Sequence, residues 1–426
     1  MYNKKGYLYG LTQKERGTLA CMKNSISSLT GKYQDLIDKH LVFRLFDKVK
    51  YELPVLVFLL TIYAFKHNFY IGDIYNIVHV YDYRIGFAPR LFIGSLMSLF
   101  TDYKSIAFMN RFFNIFCILS IFLFSFAAGR VIRKADDKLK NTAMIFVLLF
   151  LAVPYSRTVL YPNLVSVDRF LVVFTLLALI AISKKGFKWF VPLLIIMSLA
   201  TYQGYAFTYM PVVAILLIYE VYRNKNSKQS IALLLVCFTA MAVFSAYFFL
   251  YKGITSFKNV EALIAYASNK TDIRNSVGEF NIKLVLNSYF FEKPSVFFWK
   301  STIPLEGWRD LKYEFRGVIY LIPLLIVFFL VWKNAIKNSL NKFEKLIYIM
   351  CMLAPLARLP MYILSTNFVR GRISVVIVQF FLVFYFLYVG NPVVSASARK
   401  IGDYLKKNYL LLAALVVYFI VLVKLN

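Results

Sequence analysis

Residues 81–94, YDYRIGFAPRLFIG, place charged side chains between long apolar runs. Asp82, Arg84 and Arg90 surround a Gly-Phe-Ala-Pro turn. Arginine presents a planar fork of donors that suits bidentate binding of phosphate, whereas lysine is a looser point charge. A carboxylate beside arginine acts either as a proton acceptor or as an ion-pair partner. These residue types therefore predict either an anion-binding catalytic site or a set of ion pairs.

The chain that carries these residues has the composition of a membrane protein. It has 426 residues, of which 60% are hydrophobic and 17% are charged, and a soluble core does not absorb so much apolar surface. Runs of roughly 20 apolar residues cross a bilayer as helices. We therefore predict an all-α, polytopic integral membrane protein with about 11 spans. The predicted spans centre on 52–66, 105–129, 141–155, 168–183, 188–203, 206–222, 231–251, 317–332, 346–364, 373–391 and 409–424.

Lysine and arginine orient these spans. Every second connection is basic, and the positive-inside rule assigns those connections to the cytoplasm. They are 130–140, 184–188, 223–228, 333–345 and 399–407. Residues 1–50 are predicted to be a basic cytoplasmic tail, and 51–426 the transmembrane domain. The net charge of +29 then reflects topology and affinity for membrane lipids, not binding of nucleic acid.

The alternate connections, predicted to lie outside, carry arginine instead of lysine. Residues 67–104 form the first periplasmic loop and 252–316 the large periplasmic loop. The arginines beside apolar spans on this side are Arg84, Arg90, Arg157, Arg169, Arg370 and Arg372. Any one of them could extend to lipid headgroups, yet such residues favour the inside. As a group they predict one outward-opening anion site.

Other side chains on the same side could bind sugar or move protons. Tyrosines suit sugar rings and hydroxyls, although an interfacial aromatic belt is the alternative explanation; the candidates are Tyr81, Tyr161, Tyr202 and Tyr205. The candidate proton acceptors are Asp73, Asp82 and His79. The chain has no glycine-rich nucleotide loop, CxxC pair or histidine cluster. A lipid-linked phosphate is therefore the predicted anion, and neither a metal nor a cofactor is predicted.

Several of these motifs resemble known membrane glycosyltransferases. Gly72-Asp73-Ile74-Tyr75 and Asp168 in SVDRFLVVFTLLALIAI are similar to the acidic positions of the GT-C class. GFAPRLFIG and NFVRGR resemble motifs of Wzy-type O-antigen and capsular polysaccharide polymerases. The resemblance covers the whole chain in layout, but only short motifs in residues. Asp73 and Asp82 are not adjacent, unlike the paired acids of metal-dependent GT-C enzymes, which favours a metal-independent site.

The resemblance implies polymerisation of undecaprenyl-pyrophosphate-linked repeat units at the periplasmic face of the bacterial inner membrane. Arg90, Arg370 and Arg372 would stabilise the leaving phosphate, with Arg84 and Arg157 next. A chain-length regulator is a candidate partner. The alternatives are a GT-C enzyme that adds single sugars from a polyprenyl-phosphate donor, and a repeat-unit flippase. The chain lacks the matching halves typical of transporters, which disfavours the flippase.

Three local predictions complete this description. Residues 91–100 are too short to span and are predicted to form an interfacial or re-entrant helix. The loop 252–316 is predicted to contain one or two amphipathic helices that cover the site, or simply pack at the headgroups. Lys104, on the outward segment, is predicted to be replaceable by alanine almost without effect.

Overall fold

The computed structural model describes residues 47–65, 77–158, 166–225, 227–272, 286–291, 306–364 and 369–422. Most residues in these ranges are helical, and two short strands and several turns account for the rest. The first eight helices are α1 (Glu52–Phe65), α2 (Phe92–Ser98), α3 (Ile106–Lys134), α4 (Asp137–Ala152), α5 (Pro154–Thr158), α6 (Ser166–Ser183), α7 (Val191–Thr201) and α8 (Tyr205–Thr208). They are followed by α9 (Met210–Arg223), α10 (Lys228–Leu250), α11 (Val260–Ser268), α12 (Glu306–Lys337), α13 (Lys342–Leu353), α14 (Leu359–Leu364), α15 (Val369–Tyr388), α16 (Pro392–Lys407) and α17 (Tyr409–Val417).

Four helices in the described ranges are long and apolar enough to cross a membrane. The spans are Ile106–Lys134, Lys228–Leu250, Gly317–Lys337 and Arg370–Tyr388, and a bent pair, α16 with Tyr409–Val421, makes up to five. An all-α membrane protein is thereby confirmed, whereas the figure of eleven spans is not. Several predicted spans are interrupted: α4 stops at Ala152 because Val153 is extended and Pro154 starts a new helix. The run 346–364 is likewise divided into α13, a 3₁₀ turn at Ala354–Arg358 and α14.

The described helices have two chemically different ends. At one end, the segments predicted to lie outside contact each other: the amide of Arg90 donates to Ala200 O at 2.8 Å, and that of Lys104 to Lys270 O at 2.7 Å. At the other end the basic connections meet, with Lys188 Nζ 2.7 Å from Glu220 Oε2. We call these the arginine end and the lysine end. The side of the membrane that each end faces stays a prediction of the lysine pattern.

Helix α15 is buried among the other helices. Of the residues in its apolar window, 89% are buried. Phe380 packs edge-on against Phe150 of α4, with ring centroids 5.1 Å apart. Gln379 fixes the register, because its Oε1 accepts from Trp332 Nε1 at 2.6 Å and its Nε2 donates to Cys351 O at 3.0 Å. A helix held on every side gives the arginines of its first turn a fixed position.

The segment 77–104 is a packed cap over the arginine end. Its apolar residues join α3, α6 and α11 in a second hydrophobic core that includes Ile85, Leu91, Met97 and Leu263. Gly94 of α2 lies so close to the carbonyl oxygen of Tyr81 that a Cβ there would overlap it. Helix α2 is short, as predicted for 91–100. α11 buries Val260, Leu263 and Ala267, so an amphipathic helix in the loop 252–316 is confirmed; its role as a lid stays a prediction.

Candidate active site

Arg90 occupies a strained backbone position at the arginine end. Its φ is +71°, a left-handed conformation that residues other than glycine rarely adopt and that costs free energy. The hydrogen bond from its amide to Ala200 O holds this conformation. Upstream, Gly86 has a φ of +143° and pairs with Thr255, as β1 (Gly86–Phe87) runs antiparallel to β2 (Ile254–Thr255). The turn is therefore held at both ends, and its geometry directs the arginine side chain toward α7.

The guanidinium of Arg90 stacks on Tyr202, where a second arginine joins it. The guanidinium carbon of Arg90 lies 4.7 Å from the centroid of the Tyr202 ring, and that of Arg370 lies 4.2 Å from the same centroid. Arg370 also forms a bidentate pair with Asp168, with Nε–Oδ2 and Nη2–Oδ1 distances of 2.6 and 2.9 Å. Both side chains of this pair are largely buried. The ring and the carboxylate thus orient two cations that would otherwise repel one another.

Two further arginines are buried around the first turn of α15. Arg372 is 4% exposed, with its guanidinium carbon 5.2 Å from the Tyr155 ring centroid. Arg358 is also 4% exposed, and it packs against Gly371, where a Cβ would stand 2.6 Å from Arg358 Nε. Gly371, between Arg370 and Arg372 in the sequence, therefore makes room for a third guanidinium.

We call Arg90, Arg358, Arg370, Arg372, Asp168 and Tyr202 the arginine cluster. It contains four guanidinium groups, and the carboxylate of Asp168 pairs with the guanidinium group of Arg370. Rigid guanidinium groups in a site with little water bind phosphate strongly. The cluster therefore has the chemistry of a phosphate site.

Asp82 lies in a separate ion-pair network of the cap. It accepts hydrogen bonds from Arg84 Nη2 at 2.7 Å, Lys104 Nζ at 2.8 Å and Ser98 Oγ at 2.7 Å. Arg84 also pairs with Asp102. Burial of Asp82 opposes its ionisation, but the hydrogen bonds from these three donors outweigh burial and hold its pKa well below the usual range. Asp82 is therefore arranged as a counter-ion, the second of the two roles that its residue type allows.

His79 lies between the two groups of cations. It is 1% exposed, and its ring centroid is 5.2 Å from that of Phe113. Burial lowers the pKa of His79 to about 4, and the charges of Lys104 and Arg90 add to this effect. The ring is thus neutral near pH 7.

Some of the remaining predicted site residues are buried elsewhere in the structure, and the others lie wholly or partly outside the described part of the chain. Arg169 is buried and directs Nη1 toward Phe113 O at 3.5 Å. Tyr81 and Tyr205 are buried in the two hydrophobic cores. The predicted residues outside the described part of the chain are Asp73 and Tyr161, and for Arg157 only the backbone is described.

Two charged residues are more important to the structure than their sequence positions indicate. Lys104 is not the inert cation that was predicted: it is 1% exposed, and its Nζ also donates to Val80 O at 2.6 Å. The sequence does not indicate that Lys104 contacts Val80 and Asp82, because both residues are more than 20 positions away along the chain. Arg358 could have been found from sequence, since an arginine inside the apolar run 346–364 indicates a functional or paired charge. Among the described residues, no three His, Cys, Asp or Glu side chains are grouped closely enough to hold a metal ion.

Fold and site together define an all-α membrane protein with a buried cationic cluster at one end of its helices. The model of the glucosyl transferase GtrII family matches residues 90–390, which is more than half of the chain and includes every residue of the arginine cluster. The chain belongs to the GtrII family and is a membrane glycosyltransferase. Comparison with curated proteins and with solved structures gives no match.

Proposed function

We propose that the protein transfers a single glucosyl group from a polyprenyl-phosphate carrier to an acceptor glycan at the arginine end. The observation that carries this proposal is the pair of guanidinium groups, Arg90 and Arg370, on the ring of Tyr202. The family indicates that the transferred sugar is glucose, because its model describes glucosyl transferases. The arginine cluster supplies a place for the carrier phosphate. The proposal includes a bacterial inner membrane location with this end facing the periplasm, as the lysine pattern predicts.

The chemistry divides between the leaving group and the acceptor. An acceptor hydroxyl oxygen attacks the anomeric carbon of the sugar, and the bond from that carbon to the phosphate oxygen breaks. The bonding electrons pass to the phosphate oxygen, where negative charge increases. Arg90 and Arg370, already oriented by Tyr202 and Asp168, stabilise this charge without reorganisation. The hydroxyl proton passes to a base.

Asp73 is the base that we favour among the three candidates. Asp82 is held by Arg84, Lys104 and Ser98, so protonating it would break an ion-pair network. His79, with a pKa of about 4, binds a proton weakly near neutral pH. Asp73 follows the first predicted span and precedes the cap, in the position that resembles the acidic loop of GT-C enzymes.

Polymerisation of pyrophosphate-linked repeat units is the second candidate function. The observation that favours it is the number of guanidinium groups around the start of α15, because several such groups suit a pyrophosphate better than a monophosphate. An undecaprenyl-pyrophosphate-linked glycan would then be both donor and acceptor, and a chain-length regulator would be a partner.

A transfer assay in isolated membranes separates these functions. Membranes containing the protein are given polyprenyl-phosphate glucose labelled in the sugar, together with an acceptor glycan, and products are resolved by size. We expect one labelled glucose for each acceptor site. A ladder formed only from a pyrophosphate-linked oligosaccharide would establish the polymerase instead. Transfer from neither donor would contradict both proposals.

A further inference from the structure

A groove at the lysine end lies far from the arginine cluster. It has an empty volume of about 690 Å³, including its open mouth, and its lining is mostly apolar. Phe124 and Val131 of α3, Leu179 of α6, and Phe381 and Phe384 of α15 are among the lining residues.

Helices α3 and α6 both border the groove at the lysine end. Near the arginine end they touch closely, with the rings of Phe116 and Phe170 4.0 Å apart. Toward the other end both helices border the opening, and the buried helix α15 lines its base. Phe126, at the rim of the groove, is 47% exposed. The apolar character of this opening suits the hydrocarbon chains of membrane lipids.

Three cations surround the lysine end of the groove. Arg130 and Lys184 line it directly, and Lys134 Nζ stands 4.3 Å from the ring centroid of Tyr388, another lining residue. The neighbouring carboxylates already have cations of their own: Glu52 pairs with Arg133 at 2.7 Å, and Glu220 pairs with Lys188 at 2.7 Å. Within the described ranges, no ion pair joins a carboxylate to Arg130, Lys134 or Lys184. The groove thus combines an apolar channel with a positive rim.

We propose that this groove binds one anionic phospholipid of the surrounding membrane, with a hydrocarbon chain against α15 and the headgroup phosphate among Arg130, Lys134 and Lys184. Juxtamembrane lysine and arginine attract anionic lipid headgroups, and aliphatic lysine and arginine stems reach the headgroup level readily. The occupant is not the glucosyl donor in its reacting position. Asp168 and Lys184 are separated by the whole of α6, about 24 Å at 1.5 Å per residue, so a phosphate held here cannot contact Arg370.

The test uses the purified, delipidated protein in detergent, with phosphatidylglycerol and the neutral lipid phosphatidylcholine as probes. Native mass spectrometry counts the retained lipids, and thermal unfolding measures saturable stabilisation. We expect one phosphatidylglycerol to be retained and to raise the unfolding temperature, while phosphatidylcholine does neither. Replacing all three cations (Arg130→Ala, Lys134→Ala, Lys184→Ala) should weaken phosphatidylglycerol binding on the order of 100-fold, since each cation near an anionic lipid contributes about one kcal/mol.

Two further variants make the test specific. The charge-matched control replaces Lys342, Lys345 and Lys406, which are exposed at the same end outside the groove, and it should bind like the native protein. Ala127→Phe should block the groove without changing charge, and so it tests the proposal even if the triple variant does not fold. Equal affinities of the triple variant and the control would overturn the proposal. Equal binding of both lipids, undiminished binding by Ala127→Phe, or a retained mass equal to a polyprenyl phosphate would also overturn it.

Discussion

Tyr202 is the residue at which three separate parts of the chain meet. The turn before α2 and the first turn of α15 bring Arg90 and Arg370 to its ring, and Asp168 in the first turn of α6 pairs with Arg370. A tyrosine face attracts each guanidinium, and Asp168 balances one of the two charges. The role of Tyr202 is thus to hold cations at a fixed separation. A direct contact with sugar, which the sequence also predicts for this residue, is a separate role that its hydroxyl could add.

Substitution of Tyr202 separates these two roles. Tyr202→Phe keeps the aromatic face and should retain most of the transfer activity. Tyr202→Ala removes two cation–π contacts and should lower kcat/KM about 10- to 100-fold. Transfer of labelled glucose, normalised to membrane abundance, is the measurement. If Tyr202→Phe is as defective as Tyr202→Ala, the hydroxyl and not the ring is the essential group.

His79 gives the folded protein a dependence on pH. Its pKa is about 4 in the folded chain and near 6.5 in the unfolded chain. Between these values the unfolded chain binds a proton that the folded chain does not, so stability falls as the pH decreases through this window. Asp82 also makes the folded protein less stable as the pH falls, but only at lower pH. Its ion pairs contribute their full stabilisation above the ordinary aspartate pKa of about 4, and this contribution is lost below that value.

The expected result is a fall in unfolding temperature between pH 6.5 and pH 5, measured in detergent. His79→Gln should flatten this dependence, because glutamine does not titrate. An unchanged slope in His79→Gln would show that the dependence arises elsewhere.

At the scale of the element, the segment 77–104 is a folded cap and not a loop. Lys104 closes it, bridging Asp82 and the carbonyl of Val80, and the adjacent Thr271 donates to Lys104 O at 2.7 Å. Arg84, predicted to bind phosphate, is part of this closure. Sequence reasoning correctly located the charged residues of the segment. It could not separate cap from site, because that division depends on contacts with distant residues such as Ala200 and Lys270.

Lys104→Ala should destabilise the cap. Removing one partner of a buried ion pair leaves an uncompensated charge and costs roughly 3–5 kcal/mol. Lys258→Ala, at an exposed lysine on the same side of the molecule, is the matched control and should change stability by less than about 0.5 kcal/mol. The double variant Asp82→Ala with Lys104→Ala should recover part of the loss. Protease resistance of the folded protein is the measurement. Equal resistance of Lys104→Ala and Lys258→Ala would contradict the ion-pair argument.

At the scale of the whole molecule, the arginine end and the lysine end reproduce the two sets of connections that the charge pattern distinguishes. Apolar runs predicted the helices well, as at α3, α10 and α15. They predicted span number less well, because local breaks at Val153, Tyr202 and the prolines of 354–360 divide apolar runs without changing their hydropathy. The arginine cluster was foreseen in part: Arg90, Arg370 and Tyr202 converge, whereas Arg169 turns away.

Cysteine labelling tests the orientation of the two ends. The described native cysteines, Cys117, Cys237 and Cys351, are buried, so they contribute little background. A membrane-impermeant thiol reagent applied to whole cells should label Lys258→Cys at the arginine end. Asn338→Cys at the lysine end should react only after the membrane is permeabilised. The reverse pattern would contradict the predicted topology.

The central claim is that the arginine cluster stabilises the leaving phosphate, and the most direct measurement is kcat/KM for glucosyl transfer by Arg90→Lys. Lysine keeps the positive charge but cannot form the bidentate hydrogen bonds that a guanidinium group donates to phosphate. Loss of one charge-assisted bond, roughly 1.5–3 kcal/mol, lowers the rate about 10- to 150-fold. Arg111→Lys, at an exposed arginine of α3, is the matched control and should stay within about twofold of the native rate. We predict this loss for Arg90→Lys at normal membrane abundance, and a rate equal to that of Arg111→Lys would contradict the account.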